Sequence, residues 1–324
     1  PKRDWSSDVC SSDLDLGDDV LGLQWNTKMG SIGAEVLAGI QTAVEKAEEQ
    51  FQGLVIANEG ANFSAGANVG MIFMLAIEQE YDELNMAIRL FQQTMMRLRY
   101  SGIPVVVAPH GLTLGGGCEV NLHADKCCPT AETYTGLVEL GVGLIPGGGG
   151  TKEFVLRAGE EIHADEPETV TLKNRFMQIA TAKVGTSAHE AFAMGIYRKG
   201  VDEIVLNTKR RISVAKQSVI NIQKTGYSKP IEKKAIPVLG KAGLGPLYAG
   251  IHAMKTAGYA TEHDALVAKK LAYVMCGGEL SEPTKVDEQY LLDLEREAFL
   301  SLCGEKKTLE RIQSVLTTGR PIRN

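Results

Sequence analysis

The sequence has few of the features that mark specialised classes of protein. Only 6% of its 324 residues are aromatic, and 34 Lys and Arg residues stand against 40 Asp and Glu residues. No block of basic side chains is present, so recognition of nucleic acid phosphates is not expected as its main role. No apolar run approaches the ~20 residues that a membrane-spanning helix needs. We therefore expect a soluble, cytoplasmic protein.

Cysteine and histidine are scattered through the chain. The six cysteines, at positions 10, 118, 127, 128, 276 and 303, form no Cys-x-x-Cys pair. A chain of this length does not need disulfide bonds to stabilise it, so free thiols are expected. Glu119 and His123 are one helical turn apart, but zinc needs at least three protein ligands and no second pair is evident. No metal site is predicted.

The N-terminal residues have an unusual composition. The chain begins at Pro1 and continues PKRDWSSDVCSSDL before any periodic pattern starts. This stretch lacks the apolar core of a signal peptide, and it is similar to translated sequencing-adapter sequence. We expect residues 1–14 to be a non-native leader and the chain to be a fragment of a longer protein.

Alternating strand and helix patterns follow. Hydrophobic residues make up 44% of the chain, as in ordinary globular proteins. Strands are predicted at residues 20–25, 54–57 and 105–108, and helices at 34–51 and 71–100. Such alternation is typical of an α/β fold, in which functional groups lie where strands run into loops.

The pattern changes after Gly200. Residues 203–223 and 247–319 have helical periodicity, and a connector containing Lys, Pro and Gly joins them over residues 225–245. We therefore expect a core at residues 15–200 and a helical C-terminal region at residues 201–324.

Two segments rich in small residues follow predicted strands. In Asn62–Asn68 (NFSAGAN), small side chains allow a ligand to approach backbone N–H groups that can bind an oxyanion. In Leu114–Glu119 (LGGGCE), the chain enters a helix whose N-terminus favours negative charge. Either segment alone is weak evidence of function, because a tight turn or a glycine-rich helix start has the same composition.

A third segment, residues 137–151 (LVELGVGLIPGGGGT), contains Glu139 among apolar residues. Desolvation there is expected to raise the pKa of this carboxyl group and suit it to proton delivery, although a paired structural carboxylate is an equal alternative. Nucleotide binding is not supported, because a P-loop requires Gly-Lys before Ser or Thr and Gly150 precedes Thr151-Lys152. The dinucleotide fingerprint is not met either.

Together and in this order, the three segments resemble those of the crotonase (enoyl-CoA hydratase/isomerase) superfamily. The resemblance implies a spiral of ββα units with a helical C-terminal region. It also implies that the N–H groups of Ala67 and Gly116 bind the thioester carbonyl of acyl-CoA, and that Glu119 and Glu139 are the catalytic residues. The further residues that it implies for substrate binding are Ala65, Gly66, Asn68, Gly115, Pro146 and Gly147.

The resemblance covers residues 15–324 and is closest to the C-terminal hydratase part of bacterial bifunctional β-oxidation proteins. Those proteins carry an NAD-dependent 3-hydroxyacyl-CoA dehydrogenase upstream. The resemblance implies an enoyl-CoA hydratase that acts on acyl-CoA in fatty-acid β-oxidation and needs no cofactor of its own. NAD is expected only in the upstream half, and a homo-oligomer or a complex with other β-oxidation enzymes is expected.

Two positions depart from many hydratases, which have Asp where Asn68 stands and Pro where Val138 stands. Neither change removes a chemical role. Two alternatives remain open at this point: an enoyl-CoA isomerase, which needs one carboxylate, and a non-catalytic assembly module of a larger β-oxidation protein.

Overall fold

The computed structural model describes residues 11–161 and 168–324. The chain forms two compact units, each assembled from separate stretches of sequence. The first unit contains the chain up to Asn68, Leu90–Gly136 and Val184–Ile231, and the second contains Val69–Arg89, Leu137–Lys183 and Glu232–Asn324. Residues 1–10 of the expected leader lie outside the described residues, and a strand starts at Ser11. The expected division near residue 200 stays a prediction.

The first unit is built around a mainly parallel sheet. Its strands are β1 (Ser11–Asp15), β2 (Val20–Trp25), β3 (Gly53–Ile56), β4 (Val105–Val107), β5 (Leu112–Leu114), β6 (Lys126–Cys127) and β7 (Tyr134–Gly136). The order in the main sheet is β1-β2-β3-β4-β6, and only the β1–β2 pair is antiparallel within the described residues. Strands β5 and β7 form a separate parallel pair. The three apolar runs predicted as strands are confirmed.

Helices form the rest of the regular structure. In chain order they are α1 (Ala34–Gln50), α2 (Val69–Ile77), α3 (Tyr81–Arg99), α4 (Gly116–Leu122), α5 (Gly150–Glu161), α6 (Glu168–Ala180), α7 (Ala188–Ala193), α8 (Arg211–Lys224), α9 (Lys241–Thr256), α10 (Glu262–Met275), α11 (Glu288–Cys303) and α12 (Lys306–Thr318). Within residues 11–161 and 168–324, none of them combines the length and the apolar character needed to cross a membrane.

The core of the first unit lies between its sheet and two of its helices. Helix α1 buries the apolar face predicted from its periodicity, which consists of Val36, Leu37, Ile40, Val44 and Ala47. On a second face, Val55 and Val106 of the central strands pack with Ala215 and Val219 of α8. Burial of the central strands on both faces explains why their sequences are continuously apolar.

The long helix predicted over residues 71–100 is wrong in one respect, because it is two helices. Helix α2 ends where Gln79 adopts a left-handed conformation with φ of 60°. The N–H of Glu80 donates to the carbonyl of Leu75 at 2.9 Å, and the N–H of Gln79 donates to that of Ala76 at 3.3 Å. This is a Schellman helix end. It usually has Gly at the left-handed position, so a Gln there gave no signal in the sequence.

The predicted connector over residues 225–245 also contains regular structure. Residues Ile236–Val238 form strand β8, which pairs antiparallel with β9 (Thr284–Val286), a strand inside the region predicted as helical. Helix α9 begins at Lys241, six residues before the predicted start at residue 247, and it includes Gly and Pro residues that had indicated a connector. Gly243 is needed inside this helix, because a Cβ there would lie 2.9 Å from Cys276 Sγ at the end of α10. Strand pairing across nearly fifty residues leaves no local sequence signal.

The second unit contains a buried charge cluster. Lys152 on α5 is 0% exposed, and its ammonium group contacts Glu153 at 2.6 Å and Glu288 on α11 at 2.9 Å. Arg157 contacts the second oxygen of Glu153 at 3.6 Å. Such a cluster tolerates the loss of a partner poorly, because a remaining buried charge is then uncompensated.

The Lys152→Ala variant is therefore expected to lower the free energy of unfolding by about 3–5 kcal/mol. Urea denaturation followed by circular dichroism measures this loss. Lys285→Ala, which removes an exposed lysine from β9 in the same unit, is the control and should change stability by less than about 0.5 kcal/mol. Equal losses in the two variants would contradict the role of the cluster.

Candidate active site

The segment after β3 is held by backbone hydrogen bonds on both sides. The N–H of Ser64 donates to the carbonyl of Leu112 at 3.0 Å, and the N–H of Leu114 donates to that of Ser64 at 2.9 Å. On the opposite side the N–H of Asn68 donates to the carbonyl of Ile32 at 3.0 Å. The loop is therefore fixed in position although it lacks regular secondary structure.

Two backbone N–H groups in this region have no acceptor. Those of Ala67 and Gly116 form no hydrogen bond within the described part of the chain. They lie close together: a Cβ on Gly116 would be 3.2 Å from the Ala67 nitrogen, and one on Gly66 would be 3.3 Å from the Gly116 nitrogen. Neighbouring donors of this kind can bind one oxyanion.

Glycines in this region allow the N–H groups of Ala67 and Gly116 to lie close together. Gly115 has φ of 52°, which favours glycine, and it directly precedes α4. A Cβ on Gly116 would lie 2.8 Å from Phe91 Cζ, and one on Gly117 would lie 2.7 Å from Ser64 Cβ. No other residue fits these positions without moving its neighbours.

Glu119 lies on α4, one turn after Gly116, and is 3% exposed. The ring of His123 bonds through Nδ1 to the backbone carbonyl of Glu119 at 2.7 Å, so this histidine contacts the last turn of the helix. In the described ranges no group of three or more His, Cys, Asp or Glu side chains could hold a metal ion. Glu119 thus shares a short helix with one of the unpartnered N–H groups.

Glu139 begins a short 3-10 helix, Glu139–Val142, in the second unit. Its side chain is partly buried, and its Oε2 atom has no hydrogen-bond partner within the residues described. Burial, together with repulsion from the carboxylate of Glu295, raises the pKa of Glu139 to about 7. The direction agrees with the sequence prediction, and a pKa near neutrality suits a group that donates a proton at physiological pH.

The C-terminal helices hold the turn that carries Glu139. The hydroxyl of Thr308 on α12 donates to the carbonyl of Gly143 at 2.9 Å and is itself bonded to His263 on α10 at 2.9 Å. Arg311, which is 2% exposed, pairs with Asp264 at 2.8 Å and donates to the carbonyl of Leu140 at 3.4 Å. Sequence periodicity could not distinguish these side chains from surface residues of an amphipathic helix.

The remaining predicted substrate-binding residues fall into two groups. In the first unit, Gly66 and Gly115 are buried beside the unpartnered N–H groups, and Ala65 and Asn68 are exposed. In the second unit, Pro146 is buried and Gly147 lies against Phe299 of α11. Four of these six predicted substrate-binding residues therefore lie in the first unit and two lie in the second unit.

A family model described as enoyl-CoA hydratase/isomerase matches residues 20–223. The chain belongs to this family. The predicted family is thus confirmed, and members of the enoyl-CoA hydratase/isomerase family act on acyl-CoA.

Similar curated proteins are longer than this chain. A protein from Bacillus subtilis named as a probable 3-hydroxyacyl-CoA dehydrogenase is 45% identical over 311 residues, which are 96% of this chain and 39% of that protein. A protein from Rickettsia felis named as a fatty acid oxidation complex trifunctional enzyme is 29% identical over 90% of this chain and 36% of that protein. The chain spans less than two fifths of the length of these relatives.

Solved structures agree on the fold. An enoyl-CoA hydratase from Bacillus halodurans superposes with a TM-score of 0.63 at 14% identity, covering 94% of this chain and 99% of its own. An enoyl-CoA hydratase/isomerase from Xanthobacter autotrophicus Py2 has a TM-score of 0.61 at 18% identity, covering 96% and 94%. The predicted α/β crotonase-like fold with a helical C-terminal region is confirmed.

The raised pKa of Glu139 predicts how stability depends on pH in this family member. The folded state holds the proton more tightly than the unfolded chain, so the stability contribution of the protonated form is lost as pH rises through about 7. Glu139→Gln escapes this loss. Its stability relative to wild type should therefore rise by roughly 2 kcal/mol between pH 5.5 and 8.5.

Urea denaturation at the two pH values measures this change. Glu132→Gln, which alters an exposed glutamate of the first unit, should show no such rise. A constant difference between wild type and Glu139→Gln would contradict the raised pKa.

Proposed function

We propose that the chain is an enoyl-CoA hydratase, which adds water across the 2,3 double bond of 2-enoyl-CoA to give 3-hydroxyacyl-CoA. The observation that carries this proposal is Glu139, a second carboxyl group with a pKa of about 7 and an unpartnered oxygen. An isomerase needs only one carboxylate. Glu119 and the paired N–H groups of Ala67 and Gly116 support acyl-CoA chemistry in general.

The proposed reaction assigns one role to each group. The N–H groups of Ala67 and Gly116 donate to the thioester oxygen, which makes C3 electrophilic and stabilises the enolate-like charge. The carboxylate of Glu119 takes a proton from the water whose oxygen attacks C3, and the carboxylic acid of Glu139 gives its proton to C2.

We also propose that Ala65, Gly66, Asn68, Gly115, Pro146 and Gly147 bind the substrate. Gly66 and Gly115 are buried next to the two unpartnered N–H groups, where they permit close approach of a thioester. Acyl-CoA is then the substrate, and the hydration itself needs neither a metal nor a redox cofactor.

A partnership with a dehydrogenase follows from the chemistry of the product. A 3-hydroxyacyl-CoA dehydrogenase consumes what a hydratase makes, and the relative from Bacillus subtilis carries that name. We propose that this hydratase belongs to a bifunctional protein in fatty-acid β-oxidation and that NAD binds only to the dehydrogenase part. Association as a homo-oligomer or with other β-oxidation enzymes is part of the same proposal.

The state of the cysteines supports a cytoplasmic location. Among the described residues, Cys118, Cys127, Cys128, Cys276 and Cys303 are buried and form no disulfide bond. Free thiols are the usual state in a reducing compartment. We therefore propose that the hydratase acts in the cytoplasm.

Replacing either glutamate tests the proposal. Glu119→Gln and Glu139→Gln are each expected to lower kcat by about 10²–10⁴-fold, because each loses one proton transfer. Binding of acyl-CoA should be nearly unchanged. The loss of enoyl absorbance with crotonyl-CoA and with a longer 2-enoyl-CoA measures turnover, and the exposed Glu132→Gln is the control.

The products of this assay separate the alternatives. A shifted double bond in place of a 3-hydroxy product would identify an isomerase. Absence of both turnover and acyl-CoA binding would favour a non-catalytic assembly module. Near-normal turnover by either glutamine variant would refute the assigned roles.

The oxyanion site has its own test. In Gly116→Ala the new methyl group would lie 2.8 Å from Phe91 Cζ and 3.2 Å from the Ala67 nitrogen, so the two N–H groups are expected to move apart. Loss of one donor of this kind lowers kcat by about 10²–10³-fold. Gly250→Ala on α9 is the matched control, because a Cβ there meets nothing within 4 Å. Circular dichroism confirms that both variants are folded, and equal activity in the two would exclude Gly116 from the oxyanion site.

A further inference from the structure

Glu295 is a fully buried carboxylate that binds a glycine-rich segment. It lies on α11 and is 0% exposed. Its Oε1 atom accepts the N–H of Gly149 at 2.7 Å, and its Oε2 atom accepts those of Thr151 at 2.9 Å and Lys152 at 3.3 Å. Three backbone donors thus converge on one side chain that is distant in sequence.

The position of these donors favours a negative charge on Glu295. Helix α5 begins at Gly150, so the N–H groups of Thr151 and Lys152 belong to its first turn and have no acceptor within the helix. A carboxylate at this end also interacts favourably with the helix dipole. Hydrogen bonds from several N–H groups stabilise the ionised form of a buried carboxyl group.

The same face of α11 makes a second contact with the segment. A Cβ on Gly147 would lie 2.8 Å from Phe299 Cδ2, one helical turn after Glu295. Helix α11 therefore holds the segment 147–152 at both ends, through an aromatic ring and through a charged group. The segment starts a few residues after Glu139, whose own carbonyl accepts the N–H of Leu144 at 3.1 Å.

We propose that Glu295 is a positioning residue, which fixes the segment 147–152 and keeps Glu139 protonated through its own negative charge. The proposal rests on the function proposed above, in which Glu139 is the acid. Glu295 does not touch the substrate in this proposal and acts only through Glu139 and the backbone.

The electrostatics of Glu139 agree with this role. Burial is the largest cause that raises the pKa of Glu139, and repulsion by the charge of Glu295 is the next largest. The neighbouring cations of α5 are held by other carboxylates: Lys152 contacts Glu153 and Glu288, and Arg157 contacts Glu153.

The buried arginine and histidine of α12 and α10 also have partners. Arg311 pairs with Asp264, and the ring of His263 bonds to Thr308. Burial lowers the pKa of His263, so it adds little positive charge near neutral pH. Helix α6 also packs against the turn that carries Glu139, and its Arg175 lies over the ring of Phe154, 5.5 Å from the ring centre. Among the charged groups of the described residues, Glu295 is the one whose charge raises the pKa of Glu139.

The Glu295→Gln variant removes the charge and keeps the size of the side chain. The fall of kcat/KM with rising pH, which reports Glu139 in the free enzyme, is expected to move to lower pH. Above about pH 8, each unit of that shift lowers kcat/KM about tenfold. Glu297→Gln, an equal charge change at an exposed position two residues along the same helix, should leave the profile in place.

A second measurement does not depend on turnover. In wild type labelled with ¹³C-glutamate, one carboxyl resonance should titrate near pH 7 and be missing in Glu139→Gln. In folded Glu295→Gln this resonance should titrate at lower pH. A labelled wild type without any carboxyl titrating near pH 7, or an unchanged titration in Glu295→Gln, would overturn the proposal.

The two tests separate the inference from the function. If wild type binds acyl-CoA but does not hydrate it, the proposed function fails while the carboxyl titration still reports on Glu295. If hydration occurs and the pH profile of Glu295→Gln matches that of Glu297→Gln, the function stands and Glu295 has only a structural role.

Discussion

At Gly116 and Gly117 the chain lies so close to its neighbours that an added methyl group would collide, with the Phe91 ring at 2.8 Å and with the Ser64 side chain at 2.7 Å. This close packing is the constraint on which the candidate site of the first unit depends. It holds the end of the segment after β3 against the start of α4, and it leaves the N–H groups of Ala67 and Gly116 near each other without an acceptor. An unmet pair of donors has an energetic cost, which a bound oxygen atom would remove.

The parallel strands explain why this packing occurs where it does. Strands β3 and β4 are adjacent in register, so the chain leaves both at the same edge of the sheet. The loop after β3 and the segment that follows β4 therefore meet there. The short pair of β5 and β7 then fixes the approach to α4, because Gly115 donates to the carbonyl of Gly136 at 2.9 Å. The paired strands therefore fix the position of the glycine-rich start of α4.

In the second unit, charge rather than backbone packing is the main constraint. Lys152, Glu153, Glu288 and Glu295 are all buried, and each has hydrogen-bond or ion-pair partners. Glu139 differs from them because one of its oxygens has no partner among the described residues. Buried charges in a protein are normally paired, so a carboxyl group of raised pKa with one oxygen lacking a partner is a candidate for proton exchange. The helical C-terminal region supplies the surroundings that create this difference.

The sequence by itself determined the family, the strands at residues 20–25, 54–57 and 105–108 and helix α1, and it offered a raised pKa of Glu139 as one of two alternatives. These features depend on local periodicity, on short motifs or on apolar neighbours along the chain. Tertiary structure alone decided the break at Gln79, the pairing of β8 with β9 and the contacts of Glu295 and Arg311. Each of these depends on residues far apart in sequence, or on a backbone conformation that the residue type does not indicate. A glutamate that binds three N–H groups and one that faces water look alike in a sequence, because burial is a property of the packed chain.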